Sequence, residues 1–161
     1  MIISISKFLA LVILINGAPI LIRFSFKQRL SMPVDFNYRL GDGQFLFGPT
    51  KTWSGIVAAV IMGSIVAPIL GYAWYLGVYV ALASMSGDLF SSFVKRRMGM
   101  PSSSMALFLD QLPEVLFPAL LCMQALQLSF IGILYALVIF VVAELLLSQL
   151  LYKWGIRKQP F

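Results

Sequence analysis

The chain has 161 residues, of which 60% are hydrophobic and 11% charged, with a formal net charge of +6 and no histidine. A soluble domain of this size has too little interior to hide so much apolar surface. The composition therefore excludes a soluble globular protein and points to one membrane-embedded, all-α domain over residues 1–161. Without histidine, imidazole metal sites and imidazole general bases are also excluded. The single cysteine, Cys122, allows neither an internal disulfide nor a zinc cage, and reads as a small apolar residue.

The first apolar run, residues 2–22, is about long enough to cross a bilayer core of about 30 Å. It carries Asn16 and Pro19 but no small-residue cleavage site, so it reads as a retained transmembrane helix rather than a removed signal. Pro19 frees backbone carbonyls near the inner end of this helix, which Asn16 can satisfy unless it reaches into a site. A polar loop follows over residues 23–52. Residues 53–86 are apolar throughout, too long for one span, with a break near Pro68 and Gly71. Two short helices are expected, over 53–70 and 71–88. A second polar loop covers 89–111, with a flexible piece at Pro101-Ser102-Ser103-Ser104. Two more helices, over 112–127 and 130–152, complete a five-helix bundle. Trp74, Tyr75, Tyr79, Tyr152 and Trp154 read as interfacial anchors. Gly63, Gly71 and Gly77 mark close helix packing within or between chains, which leaves a homodimer open.

The charges orient this bundle. Eleven of the twelve Lys and Arg residues fall in the two polar loops and the C-terminal tail, while the turns near 71 and 128 carry no charge. Positive loops stay in the cytoplasm. The N-terminus is expected outside, with both loops and the C-terminus inside, in a cell (inner) membrane. The basic balance follows from this rule and implies no nucleic-acid partner.

The two inner loops hold nearly all the reactive groups. Asp42-Gly43 is a turn signal, and Gly48-Pro49 is a second chain breaker. Lys51 and Thr52 stand at the start of the second helix, where a phosphate meets free backbone N–H groups and the positive end of the helix dipole. Gly43 and Gly48 have the spacing of a P-loop, but Pro49 and Thr50 intervene before Lys51 and no strand precedes, so that reading fails. Asp88 is a carboxylate at the edge of hydrocarbon, costly unless paired or bound to a cation. Ser92 and Lys95 share its face if the helix continues, and Arg96 and Arg97 extend the charge. Asp110-Gln111 stands at the entrance to the fourth helix. Asp88 and Asp110 can jointly hold Mg²⁺, which favours carboxylate oxygens together with substrate phosphates. Lys and Arg nearby can take up the charge of a departing pyrophosphate. The same residues also fit a plainer reading, in which the aspartates cap helices and Lys95-Arg96-Arg97 anchors at headgroups. Glu144, in the middle of the fifth span, reads as a carboxyl bonded to a neighbouring helix.

The motifs Asn16-x-x-Pro19, Asp42-Gly43, Phe47-Gly48-x-x-Lys51-Thr52-Trp53-x-Gly55, Gly87-Asp88-Leu89-x-x-Ser92-Phe93-x-Lys95-Arg96-Arg97-x-Gly99 and Asp110-Gln111-Leu112 together resemble those of the CDP-archaeol synthase family. The likeness runs from about residue 16 to 115 and implies an integral membrane cytidylyltransferase with five helices. It implies CTP and a lipid phosphate as substrates, Mg²⁺ as cofactor, and a CDP-lipid and pyrophosphate as products. By the same resemblance, Asp88 and Asp110 are magnesium ligands. Lys51, Lys95 and Arg96 act with them on the reacting phosphates. Asn16, Asp42, Gly43, Gly48, Thr52, Ser92, Arg97, Gln111 and Glu114 line the substrate site. Pro113 replaces a family Asp, with Glu114 beside it as a stand-in carboxylate, and Ser54 replaces a family Arg. These two departures are what an alternative reading rests on: a non-catalytic membrane module that binds anionic lipid or a partner protein.

Overall fold

The computed structural model describes residues 2–26, 32–102, 104 and 106–153. It contains five helices: α1 (Ile2–Phe26), α2 (Trp53–Ile69), α3 (Trp74–Arg97), α4 (Gln111–Leu121) and α5 (Phe130–Lys153). No strand occurs among the described residues, only isolated bridges between Pro33 and Thr52 and between Arg39 and Phe45. By length and composition α1, α3 and α5 can each cross a membrane, whereas α2 and α4 are shorter apolar helices. Arg157, Lys158 and the expected anchor Trp154 lie outside the described residues, as do Lys27 and Arg29 of the first loop.

α3 is the centre of the bundle, packed against α2 on one side and α4 on the other, with α1 against α2 and α5. Backbone-to-backbone approach makes this possible. A Cβ at Gly77 would lie 1.9 Å from the Gly63 carbonyl oxygen, so α2 and α3 cross where neither has a side chain. α3 and α4 cross in the same way at Gly87, where a Cβ would meet the Pro113 carbonyl oxygen at 2.2 Å. Phe8, Leu11, Val12 and Ile15 of α1 are fully buried, and Ala59, Val80, Val115 and Ala136 bring the other helices onto that stripe. The outward faces are apolar as well: Ile61, Ile65, Tyr79, Leu134 and Val138 are all exposed. Such faces suit hydrocarbon rather than water.

Three helix ends differ from the sequence expectation. α1 runs on to Phe26. α3 continues through the segment expected to start a loop at residue 89 and ends only at Arg97. Asp88 therefore stands inside a helix, with Ser92 and Lys95 on its face. α4 stops at Leu121, well short of residue 127, after Pro118 has removed a backbone donor from its last turn.

Candidate active site

Both polar loops meet at one end of the bundle, and the chain builds this end from the first loop upward. Segment 32–35 runs beside the entry to α2. Val34 N–H donates to the Lys51 carbonyl (2.8 Å) and Trp53 N–H to the Met32 carbonyl (3.1 Å). Thr52 caps α2, its hydroxyl accepting from Gly55 N–H at 3.2 Å. Lys51 is thus fixed by its backbone just before a helix, and its side chain crosses to α3. There Nζ meets Asp88 Oδ1 at 2.5 Å.

A second pair lies beside the first. Lys95 Nζ meets Asp110 Oδ1 at 2.6 Å and also donates to the Ser104 carbonyl at 3.0 Å. Asp110 Oδ2 in turn accepts from Ala106 N–H at 2.9 Å, which fixes the chain leading into α4. The pairs share one field. Burial disfavours the Lys51 charge, but Asp88, Glu114 and Asp110 together more than offset this, and the ammonium is held above its usual pKa. Glu114 is 8% exposed and sits beside Asp88, within electrostatic range of Lys51 and of Glu144 on α5. The Gly87 crossing causes this: with no side chain there, Asp88 and Glu114 flank the closest approach of α3 and α4.

The two arginines are committed elsewhere. Arg96 is 3% exposed and donates to Ser102 Oγ (2.9 Å) and the Pro101 carbonyl (3.0 Å), holding the second loop. Arg97 pairs with Asp42, donates to the Phe45 carbonyl and lies over the Phe93 ring. It ties the Asp42-Gly43 turn of the first loop to the end of α3. Gly48, at φ 98°, presses on the second loop, where a Cβ would fall 2.7 Å from Ser102 Oγ. Asp42 carries a carboxyl held below its ordinary value, first by the Gln44 backbone N–H and then by Arg97.

The structure thus brings Lys51, Asp88, Lys95, Asp110 and Glu114 together, with Thr52 and Ser92 adjoining them in the chain. Ser92 is buried. Gln111 is also buried, and neither its amide oxygen nor its nitrogen has a hydrogen-bond partner. Asp42, Gly43 and Gly48 belong to the loop framework. Asn16 stands apart, deeper in the bundle, where its amide oxygen accepts from Ser84 Oγ at 2.9 Å and its nitrogen is buried without a partner. Ser84 is one turn before Asp88, so Asn16 lies below the carboxylates. One residue escaped the sequence reading: Asp35, 5% exposed, whose carboxylate accepts three backbone N–H groups. Its only sequence signal is Asp35-x-Asn37, a local turn pattern.

Does this donor set suit magnesium? Among the described residues no three Asp, Glu or Cys side chains form a ready-made cage. Mg²⁺ does not need one, since it is commonly bound by one or two carboxylates plus substrate phosphates. Asp88 and Asp110 are hard oxygen donors, and each already holds a cationic ammonium at short range. The residues fit.

A membrane-type helical bundle with paired lysines and carboxylates gathered at one end defines a class: a helical membrane protein with one charged site built from both polar loops. The particular family follows from comparison. A family model described as CarS-like, CDP-archaeol synthase, matches residues 29–161. The CDP-archaeol synthase of Sulfurisphaera tokodaii is 33% identical over 135 residues, covering 80% of this chain and 81% of the relative. That of Pyrobaculum calidifontis is 32% identical over 151 residues, covering 91% and 90%. A solved structure described as an intramembrane enzyme for archaeal membrane lipids biosynthesis has a TM-score of 0.68 at 26% identity, covering 84% of this chain and 92% of that one. The chain belongs to the CDP-archaeol synthase family and is a membrane-embedded, CTP-dependent cytidylyltransferase.

Proposed function

We propose that this end of the bundle faces the cytoplasm and transfers CMP from CTP to a lipid phosphate, releasing pyrophosphate and leaving a CDP-lipid. The lipid is of archaeol type, as the names of the relatives indicate, and residues 1–161 act as one unit. The observation that carries the reading is the pair of contacts Lys51–Asp88 and Lys95–Asp110, side by side where both polar loops meet the helix ends.

In this reading an oxygen of the lipid phosphate attacks the α-phosphorus of CTP. The bond from that phosphorus to the bridging oxygen breaks, and its electrons leave with pyrophosphate. The attacking phosphate monoester is already ionised, so no general base is required, which suits a chain without histidine. Asp88 and Asp110 would hold magnesium, which would supply Lewis-acid polarisation of the phosphorus under attack. Lys51 and Lys95 reach the same space on flexible stems and act as point charges on the β- and γ-phosphates. Arg96 and Arg97 hold the loops that enclose these phosphates. Glu114 supplies the carboxylate that Pro113 displaces from its usual place, reaching Asp88 from one residue further along α4. Catalysis is then chiefly positioning and charge neutralisation.

Purified protein in micelles, given CTP, Mg²⁺ and a lipid phosphate, is expected to release pyrophosphate. Asp88→Asn and Asp110→Asn are each expected to lower that rate by about 10²-fold or more. Near-normal turnover in either variant would overturn the assignment of the aspartates.

A further inference from the structure

Asp35 carries a buried carboxylate that meets no cation in an ion pair among the described residues, an arrangement that is expensive unless backbone donors replace water. They do. Oδ2 accepts from Phe47 N–H and Gly48 N–H, both at 2.8 Å, and Oδ1 from Asn37 N–H at 3.0 Å. These bonds brace a segment of unusual backbone conformation. Phe36 and Asn37 both have left-handed φ, 49° and 61°, a conformation that Asn tolerates and Phe rarely adopts. Gly48 follows at φ 98°, pressed on Ser102 of the second loop.

From Gly48 the path to the reacting end is short. The Gly48 carbonyl accepts from Lys51 N–H at 3.2 Å, closing a turn, and the Lys51 carbonyl accepts from Val34, the neighbour of Asp35. The backbone on both sides of Lys51 is thus referred to one buried carboxylate.

We propose that Asp35 is a positioning residue of the nucleotide site: its carboxylate sets the Gly48–Lys51 turn, and through that turn the place of the Lys51 ammonium against Asp88. Asp35 touches no substrate and acts through Lys51. The inference rests on the reading of Lys51 as a phosphate ligand.

A residue that acts through another is recognised by non-additivity. Magnesium-dependent CTP binding to full-length protein in micelles is measured by calorimetry for wild type, Lys51→Met, Asp35→Ala and the double variant. Lys51→Met and Asp35→Ala are each expected to weaken binding by about tenfold or more. The double variant is expected to bind no more weakly than Lys51→Met alone, because a misplaced turn has nothing further to misplace. Asp35→Asn keeps one oxygen for Phe47 and Gly48 and is expected to recover part of the lost affinity. It also carries the same cycle if Asp35→Ala does not fold. Losses that multiply in the double variant, or wild-type binding by Asp35→Ala, would overturn the inference while leaving the Lys51 assignment intact. Wild-type binding by Lys51→Met would sink both.

Discussion

Gly87→Ala adds a single methyl group at the point where α3 and α4 touch. The new Cβ would lie 2.2 Å from the Pro113 carbonyl oxygen, 2.4 Å from its carbon and 2.8 Å from Glu114 N. All three are backbone atoms, so no side chain can rotate away. Restoring ordinary contact distances requires the two helices to separate by about 1 Å. Overpacking of this kind costs about 1–3 kcal/mol, partly offset by about 1 kcal/mol from the better helix propensity of alanine. Stability should therefore fall only modestly. Activity should fall much further, because Asp88 and Glu114 flank the crossing and a misplacement of about 1 Å can cost about 10²-fold. The assay is pyrophosphate release in micelles beside a melting curve. Gly17→Ala is the control, since a Cβ there meets nothing within 4 Å. A Gly87→Ala protein that keeps wild-type turnover would refute the claim that this crossing sets the distance between the carboxylates.

Gly77→Ala tests packing away from the chemistry. Its Cβ would collide with the Gly63 carbonyl oxygen at 1.9 Å, and the melting temperature should drop by an amount equivalent to about 1–3 kcal/mol or more. The Asp42 turn gives a pH prediction. Its folded-state carboxyl lies below the ordinary value of 3.8, so its contribution is complete above that pH and is lost as pH falls below 3.8 through the folded value. Protection of the Gln44 amide from hydrogen exchange relative to its intrinsic rate, set by its bond to Asp42 Oδ1 at 3.0 Å, should hold down to that window and fall below it. Asp42→Ala, which leaves no side-chain acceptor, should lose this protection at every pH.

The helices were legible because apolar runs separated by charged loops leave few other arrangements in a bilayer. Their ends were less so. The stretch 89–97 reads as a polar loop by composition, yet it continues α3, and its polar groups lie on helix faces that meet the loops. α4 stops early, one turn after Pro118 removes a backbone donor, and hydropathy does not register that. In the site, the types and spacing of Lys51, Asp88, Lys95 and Asp110 were enough to bring them under suspicion. Their pairing was not legible, because Lys51 finds Asp88 across the α2–α3 hairpin and Lys95 finds Asp110 across the second loop, neither along a helix face. Charge and the family resemblance set Arg96 and Arg97 beside the phosphates; the hydrogen bonds they make run to the two loops, which neither signal shows. Asp35 left almost no trace in the sequence, since its partners are backbone amides up to 13 residues away. The choice between enzyme and non-catalytic module was open from residues alone, and family membership closed it.

The central claim is that aspartates from α3 and from the entry to α4 serve one divalent ion together with CTP. Manganese binding by full-length protein in micelles, followed by electron paramagnetic resonance with CTP present, tests it directly. One bound Mn²⁺ per chain is expected in the wild type, and its loss in both Asp88→Asn and Asp110→Asn. An unchanged bound signal in either variant would contradict the account.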